Sequence, residues 1–367
     1  MIKRLYIDNY RCFRNFELKL GAIPCAMLIG ANGVGKSTIG EILAAFRKLG
    51  EGAVRVNDVF PPGVKSEIGV PGEPKSDAVR IELDVASDKH SWAYGLTLSL
   101  QGNEFKVAEE MLVCDGRPLV NRAGLRVRDD VLALGCFLDS SDEQEVAEFL
   151  KVLASILVIR PVPSKMSGSL HGKANHLSED CCNFSDWFAV HISGGMAAYE
   201  AFHDYMKCVM ADFAGVETDE RGARGPMLKI CFDAPEKDLR MKIPLGALSD
   251  GEKCQLIAAS VVALNETMPN LTVFWDEPDN FITTGEVAYL MPALCHSFVK
   301  RGQLIVSSHS REAILTYGEN EVLCLRRAAH GLPVKQPISI AELRANGTFT
   351  GSLDQVLRTG EVVAAWD

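Results

Sequence analysis

Three observations predict an α/β fold with a mixed sheet. The apolar run Ala26–Ile29 leads through the glycine-rich segment Gly30–Ser37 into an amphipathic run from Thr38 to Leu49, a strand-loop-helix junction. The runs Val79–Val85, Trp92–Leu100 and Glu104–Val113 alternate apolar and polar residues and are joined by short polar turns such as Gln101-Gly102-Asn103, the pattern of an antiparallel meander. From Met227 onward the chain alternates strand and helix in the βα rhythm of a parallel sheet.

Taken in order, Lys3–Asp8 and Asn15–Leu20 read as two strands around Asn9-Tyr10-Arg11-Cys12-Phe13, an opening hairpin. From Asp58 to Asp77 prolines and glycines crowd together (Pro61, Pro62, Gly63, Pro71, Gly72, Pro74), predicting a long loop before the meander. Residues 139–225 show helical periodicity over Glu143–Leu153 and Phe184–Phe213, separated by a polar loop from Ser164 to Ser178. They read as an inserted helical lobe without the sustained heptads of a coiled coil. Strands follow at Leu228–Phe232 and Leu239–Ile243, and short helices close the chain at Ile340–Asn346 and Ser352–Arg358. The expected division is 1–138, 139–225 and 226–367. At 367 residues, one large domain with an insertion and two domains are both open.

Composition narrows the classes. Apolar residues make up 47% and charged residues 23%, the balance of an ordinary globular protein. The start at Met1 shows no apolar signal segment, and no run approaches the length of a membrane span, so a cytoplasmic location without membrane contact is expected. Eleven cysteines, an odd number in mostly apolar surroundings, suit reduced core thiols better than a disulfide framework. The net charge of −10 repels nucleic acid, so DNA binding is not indicated by charge and would need a local patch. The richest basic stretch, Arg117 to Arg128, runs at once into Asp129-Asp130 and reads as a solvated face.

The segment Gly30-Ala31-Asn32-Gly33-Val34-Gly35-Lys36-Ser37 fits the pattern G-x-x-x-x-G-K-[ST]. In such a loop the backbone amides after Asn32, Gly33 and Gly35 close around phosphate oxygens and Lys36 reaches the β and γ phosphates. Ser37 binds Mg²⁺, and Thr38 follows in the first helical turn. Leu271–Trp275 is an apolar strand ending in Asp276 and Glu277. A buried strand that delivers acids at its C-terminal end lets Asp276 hold Mg²⁺ and Glu277 orient or deprotonate an attacking water. In Leu248-Ser249-Asp250-Gly251-Glu252-Lys253, Ser249 and Gly251 stand at a helix start, which by itself is only a cap. His171, His176, Cys181, Cys182 and His191 supply only the H-x₃₋₅-H half of a zinc pattern, and a polar loop entering a helix with buried thiols accounts for them better than a metal.

The phosphate loop, the Leu-Ser-x-Gly-Glu segment, the strand ending in Asp-Glu-Pro and Leu304–Ser310 with His309 resemble, in that order, the ABC-type ATPases. The opening Ile2–Phe13 is similar to the N-terminus of their SMC/RecF-like branch. The resemblance implies an ABC-type ATPase head of the P-loop NTPase fold: a mixed sheet with an antiparallel N-terminal meander plus the helical lobe. It implies Mg-dependent hydrolysis of ATP held between two copies. Ser249 and Gly251 of one copy would cap the γ phosphate bound at Lys36 of the other, and His309 would be the switch histidine contacting that phosphate. The 139–225 lobe would carry the signature side. Arg11 matches a family arginine near the nucleotide, although a surface arginine in a hairpin turn fits nearly as well.

The sequence also departs from the family. Pro278–Thr283 lacks the distal aspartate of transporter heads, and no glutamine stands out as the Mg²⁺-sensing residue, Gln101 being in a plausible region. Coiled-coil arms are missing, and the segment after His309 is too short for the Toprim nuclease of the overcoming-lysogenisation-defect proteins, whose ATPase half the chain otherwise resembles. The expected function is therefore an ATP-driven homodimeric switch controlling a separately encoded effector, a nuclease or toxin, in bacterial anti-phage defence. The alternative is a RecF-like DNA-repair ATPase.

Overall fold

The computed structural model describes residues 1–21, 23–60, 78–137, 144–220, 225–234, 240–348 and 350–359. The Pro- and Gly-rich stretch from residue 61 to 77, the expected boundary at 138/139 and the predicted element starts at Glu143 and Leu239 lie outside the described residues. The chain forms two compact units, residues 1–156 with 305–367, and residues 157–304.

The first unit opens with β1 (Ile2–Asp8), β2 (Phe16–Lys19), β3 (Cys25–Ile29), α1 (Lys36–Gly50) and α2 (Val56–Val59). The strands β4 (Ala78–Ala86), β5 (Ser91–Gln101), β6 (Glu104–Cys114) and β7 (Arg117–Asn121) follow, then α3 (Gln144–Ala154). A six-stranded sheet in the order β2-β1-β4-β5-β6-β7 is antiparallel at every pairing, the meander expected from the alternation. Its inner side chains bury an aromatic cluster. Phe46 of α1 meets Tyr94 edge-on, and Phe149 of α3 lies against both Trp92 and Tyr94. Such pairs add to the burial of large rings, which is why one face of the meander is apolar and the other is not. Strands β1 to β6 and α1 agree with the predicted bounds to within two residues.

One element in this region was hidden in the sequence. The basic stretch beginning at Arg117 starts as strand β7, and its charges are used locally. Arg122 donates to the carbonyls of Val131 (2.7 Å) and Arg128 (2.6 Å), and Arg128 forks onto Asp130.

The second unit contains β8 (Ile156–Ile159), α4 (Phe184–His191), α5 (Met196–Val209), β9 (Phe213–Asp219), β10 (Met227–Asp233), β11 (Arg240–Pro244), α6 (Asp250–Thr267), β12 (Thr272–Asp276) and α7 (Thr284–Lys300). Strand β13 (Gln303–Ser307) leads back to the first unit, where α8 (Arg311–Ile314), β14 (Val322–Cys324), β15 (Ile338–Ser339), α9 (Ile340–Ala345) and α10 (Leu353–Thr359) complete the chain. Between residues 139 and 225 the structure holds strands as well as helices. The run Ile156–Ile159 is wholly buried and extended, a short apolar run that periodicity cannot distinguish from helix. Phe213 begins a strand rather than ending a helix, since α5 stops at Val209 and Val216 and Thr218 favour the pleat. The sheet β11-β10-β9 is antiparallel.

In the first unit β3 lies between β14, parallel to it, and β13, while β15 pairs antiparallel with β14, a mixed sheet. All five residues of β3 are buried, as in a strand covered on both faces. In the second unit β12 neighbours β8, and α6, buried around most of its circumference, packs on α5 and α7.

Candidate nucleotide-binding site

In the first unit β3 delivers the chain into the glycine loop, and α1 begins at Lys36. Gly35 is the N-cap, with φ +95°, and a Cβ there would stand 2.5 Å from Phe13 Cζ and 2.7 Å from Cys12 Sγ. Only glycine permits both that backbone and that contact. The start of α1 has no side-chain cap and no acid in its first turn, so the amides and the positive end of a 15-residue helix point outward unmasked by carboxylates. That is the chemistry of an anion site. Asn32, Gly33 and Ser37 are exposed, while Lys36 and Thr38 are buried.

The Lys36 ammonium donates to the carbonyls of Gly30 (2.8 Å) and Ala31 (3.3 Å) and to Nε2 of His309 at 3.0 Å. An ammonium has only protons to give, so Nε2 carries the lone pair and Nδ1 the proton. His309 is exposed and sits just beyond β13, whose wholly buried residues fix the strand end; Ser310, next in the chain, caps α8. Arg11, at φ +50° in the β1–β2 turn, pairs with Glu41 of α1 at 2.6 Å.

Two residues near the loop escaped the sequence reading. Arg327 donates to Gly33 O at 2.9 Å, and the His330 ring lies so close to Gly33 that a Cβ there would be 3.3 Å from Nε2. With 294 residues between Arg327 and Gly33, no local pattern could have signalled the contact.

In the second unit Ser249 is the N-cap of α6 in a complete capping box. Its Oγ accepts from Glu252 N at 3.3 Å, and a Glu252 carboxylate oxygen accepts from Ser249 N and Oγ, each at 2.7 Å. Ser249 and Asp250 are exposed, and Gly251 lets the carbonyl of Phe281 approach its Cα. Asp276 ends β12 and lies 3.6 Å from Arg160 Nε, an arginine at the end of β8 that the sequence did not single out. Glu277 has φ +52°, a left-handed backbone rare for a residue with a side chain, and its carboxylate accepts from Asn280 Nδ2 at 2.6 Å. Gln101 closes the β5–β6 hairpin opposite Glu104, exposed.

The histidine- and cysteine-containing stretch 171–191 is organised around its own backbone. Asp186 accepts from the amides of His171 and Gly172, Asn183 donates to His176 O, and a His191 ring nitrogen meets Asn175 O at 2.8 Å.

Within the first unit, an unmasked helix start, a buried lysine and the exposed Ser37 hydroxyl fit the phosphates of a nucleotide.

Residues 1–116 match the family described as AAA ATPase domain. Among solved structures, an SMC head bound to the C-winged helix domain of ScpA superposes with a TM-score of 0.57 at 15% identity, over 93% of this chain and 99% of that one. The SMC head domain from Thermotoga maritima gives 0.51 at 16% identity, over 92% and 99%. The SMC head with an extended coiled coil bound to the C-terminal domain of ScpA, from Pyrococcus furiosus, gives 0.52 at 13%, over 94% and 98%. Among curated proteins no match was found. No helix among the described residues is long and apolar enough to cross a membrane.

Proposed function

We propose that this chain, whose fold is that of the ABC-type ATPase heads of the SMC/RecF-like branch, is an ATP-hydrolysing switch that closes as a homodimer and controls a separately encoded effector. One observation carries the reading: buried Lys36 meets His309 at the unmasked start of α1, so a phosphate-binding cation and a proton-accepting imidazole share one place.

In this proposal the loop amides, Lys36 and Thr38 bind the phosphates, and Arg327 holds the loop's shape through Gly33. Mg²⁺, when bound through Ser37 and Asp276, neutralises phosphate charge. Glu277 accepts a proton from the attacking water, and His309 donates or accepts at the γ phosphate. The exposed Ser249 and the half-buried Gly251 face a second copy. A helix start that must serve a ligand in trans has to be open to solvent in the single chain, as Ser249 is. A partner is supported by the SMC head that binds a winged-helix domain of ScpA, and the net charge of −10 favours a protein over DNA as that partner. We assign the effector to the nuclease or toxin class and the setting to anti-phage defence, because the motifs supply a motor and no effector chemistry.

The test is the mass of the Glu277→Gln protein in solution with Mg-ATP, with ADP and without nucleotide. A dimer with ATP alone is expected; a monomer under all three conditions overturns the switch. Co-purification with the product of an adjacent gene, dependent on ATP, tests the partner.

A further inference from the structure

The geometry points to a second metal site, remote in chemistry from the phosphate loop: we propose that His90, Cys114 and Asp115 bind one thiophilic divalent cation, zinc by the character of its ligands. The three residues come from separate places in the meander. His90 lies in the turn between β4 and β5, Cys114 ends β6, and Asp115 stands in the two-residue turn to β7. One ligand atom from each gathers with the others within 4.8 Å. His90 Nδ1 is 2.8 Å from Asp115 Oδ2, and Cys114 Sγ is 3.6 Å from the same oxygen. Ligands of a tetrahedral zinc lie about 3.4 Å apart, given metal–ligand bonds near 2.0–2.3 Å, so small side-chain movements complete the geometry.

The site is built before any ion enters. Asp115 adopts φ +49° beside Gly116 at +81°, its amide bonds to Ser91 O at 2.9 Å, and its Oδ1 accepts from Ser91 N at 2.9 Å. With Oδ1 fixed in this way, Oδ2 is the oxygen turned to His90 and Cys114. Cys114 is buried, whereas the His90 and Asp115 side chains are 29% and 51% exposed, which leaves an entry path for an ion. A thiolate with an imidazole selects zinc over magnesium, and three protein ligands leave the fourth position to water.

Proton bookkeeping is consistent with this ligand set. On binding, the thiol releases its proton, and Nδ1 takes the metal in place of the hydrogen bond to Asp115. The ring proton then resides on Nε2, which lies 4.0 Å from Glu148 Oε2 of α3, beyond hydrogen-bond reach, so a side-chain movement would bring it into the carboxylate–histidine–metal arrangement that fixes a ligand's tautomer. Glu148 lies on the helix that Trp92 and Arg117 also grip, through Glu145 O (3.1 Å) and the Glu145 carboxylate (2.7 Å). Since α3 packs against α1, which begins at Lys36, the metal would brace the nucleotide-binding unit.

The experiment titrates Co²⁺ into the full chain carrying Lys36→Ala, which removes nucleotide from the readout. One equivalent should give a near-ultraviolet thiolate-to-cobalt charge-transfer band with tetrahedral visible bands, and Zn²⁺ should displace it. Cys114→Ser should abolish the band, and Glu148→Gln should weaken binding roughly tenfold. If Cys114→Ser fails to fold by circular dichroism, His90→Gln replaces it and should lose the tetrahedral bands. No charge-transfer band, or a band undiminished in Cys114→Ser and so due to another of the eleven cysteines, overturns the proposal.

Discussion

Lys36 Nζ stands 3.0 Å from His309 Nε2, a contact made across 273 residues of chain. The contact joins a buried ammonium to an exposed imidazole, and their variants should separate binding from turnover. Lys36→Ala removes a cation that the loop carbonyls already orient, so nucleotide affinity should fall beyond detection in a fluorescent-nucleotide titration. His309→Ala keeps the cation and the amides. Affinity should change little, and phosphate release should slow by about 10²–10⁴-fold. Equal ATP affinity in Lys36→Ala and the parent would remove the site assignment.

Glu277 should show the complementary behaviour. Its carboxylate is held by Asn280 on a left-handed backbone, a costly conformation retained at a strand end. Glu277→Gln preserves size and the contact to Asn280 while removing the base. Turnover should drop by about 10²–10⁴-fold with affinity retained, read by single-turnover hydrolysis beside equilibrium binding.

Gly35→Ala tests the loop without touching a charge. A methyl group there meets Phe13 and Cys12 within 2.7 Å, and the backbone at φ +95° disfavours any side chain. The variant should lose about 1–3 kcal/mol of stability in chemical denaturation and bind nucleotide at least tenfold more weakly. Wild-type affinity in this variant would show that the loop's shape is not what binds phosphate.

Glu110 gives a prediction about stability and pH. Its carboxylate is fully buried and accepts from Tyr94 Oη (3.0 Å), Ala133 N (2.5 Å) and Leu134 N (2.9 Å), so it caps the start of the 3₁₀ turn Ala133–Phe137. In Glu110→Gln an amide NH₂ must face one of those donors, a loss of about 1–3 kcal/mol. Burial holds the Glu110 carboxyl above its usual range. The folded state therefore keeps its proton to higher pH than the unfolded state, and stability falls as pH rises from the unfolded value of 4.5 through the raised folded one. The gap between the parent and Glu110→Gln should be narrower at pH 8 than at pH 5 in urea melts; a gap that widens would contradict the sign.

The placement of the candidate site residues was legible where a short pattern and its flanking elements coincide. The loop at Gly30–Ser37, the acids after Trp275 and the helix start at Ser249 all fall on the predicted junctions, and the meander follows from strict alternation. What could not be read was anything set by folding alone. Arg327 and His330 reach the loop from a segment with no motif, and Arg160 approaches Asp276 because β8 and β12 are neighbours. The strand Ile156–Ile159 was invisible for a different reason, since four buried apolar residues have no period. The left-handed turn at Glu277 left no trace either, because nothing in Asp-Glu-Pro announces a positive φ.

The box at the start of α6 has a consequence for dimer closure. Glu252 sits on Ser249 as a resident anion, occupying the donors that an incoming phosphate would need. In the proposed dimer the newcomer must outcompete a carboxylate already in place. The capping box must therefore open before Ser249 N and Oγ can serve a ligand in trans, so closing on nucleotide costs the helix its own cap.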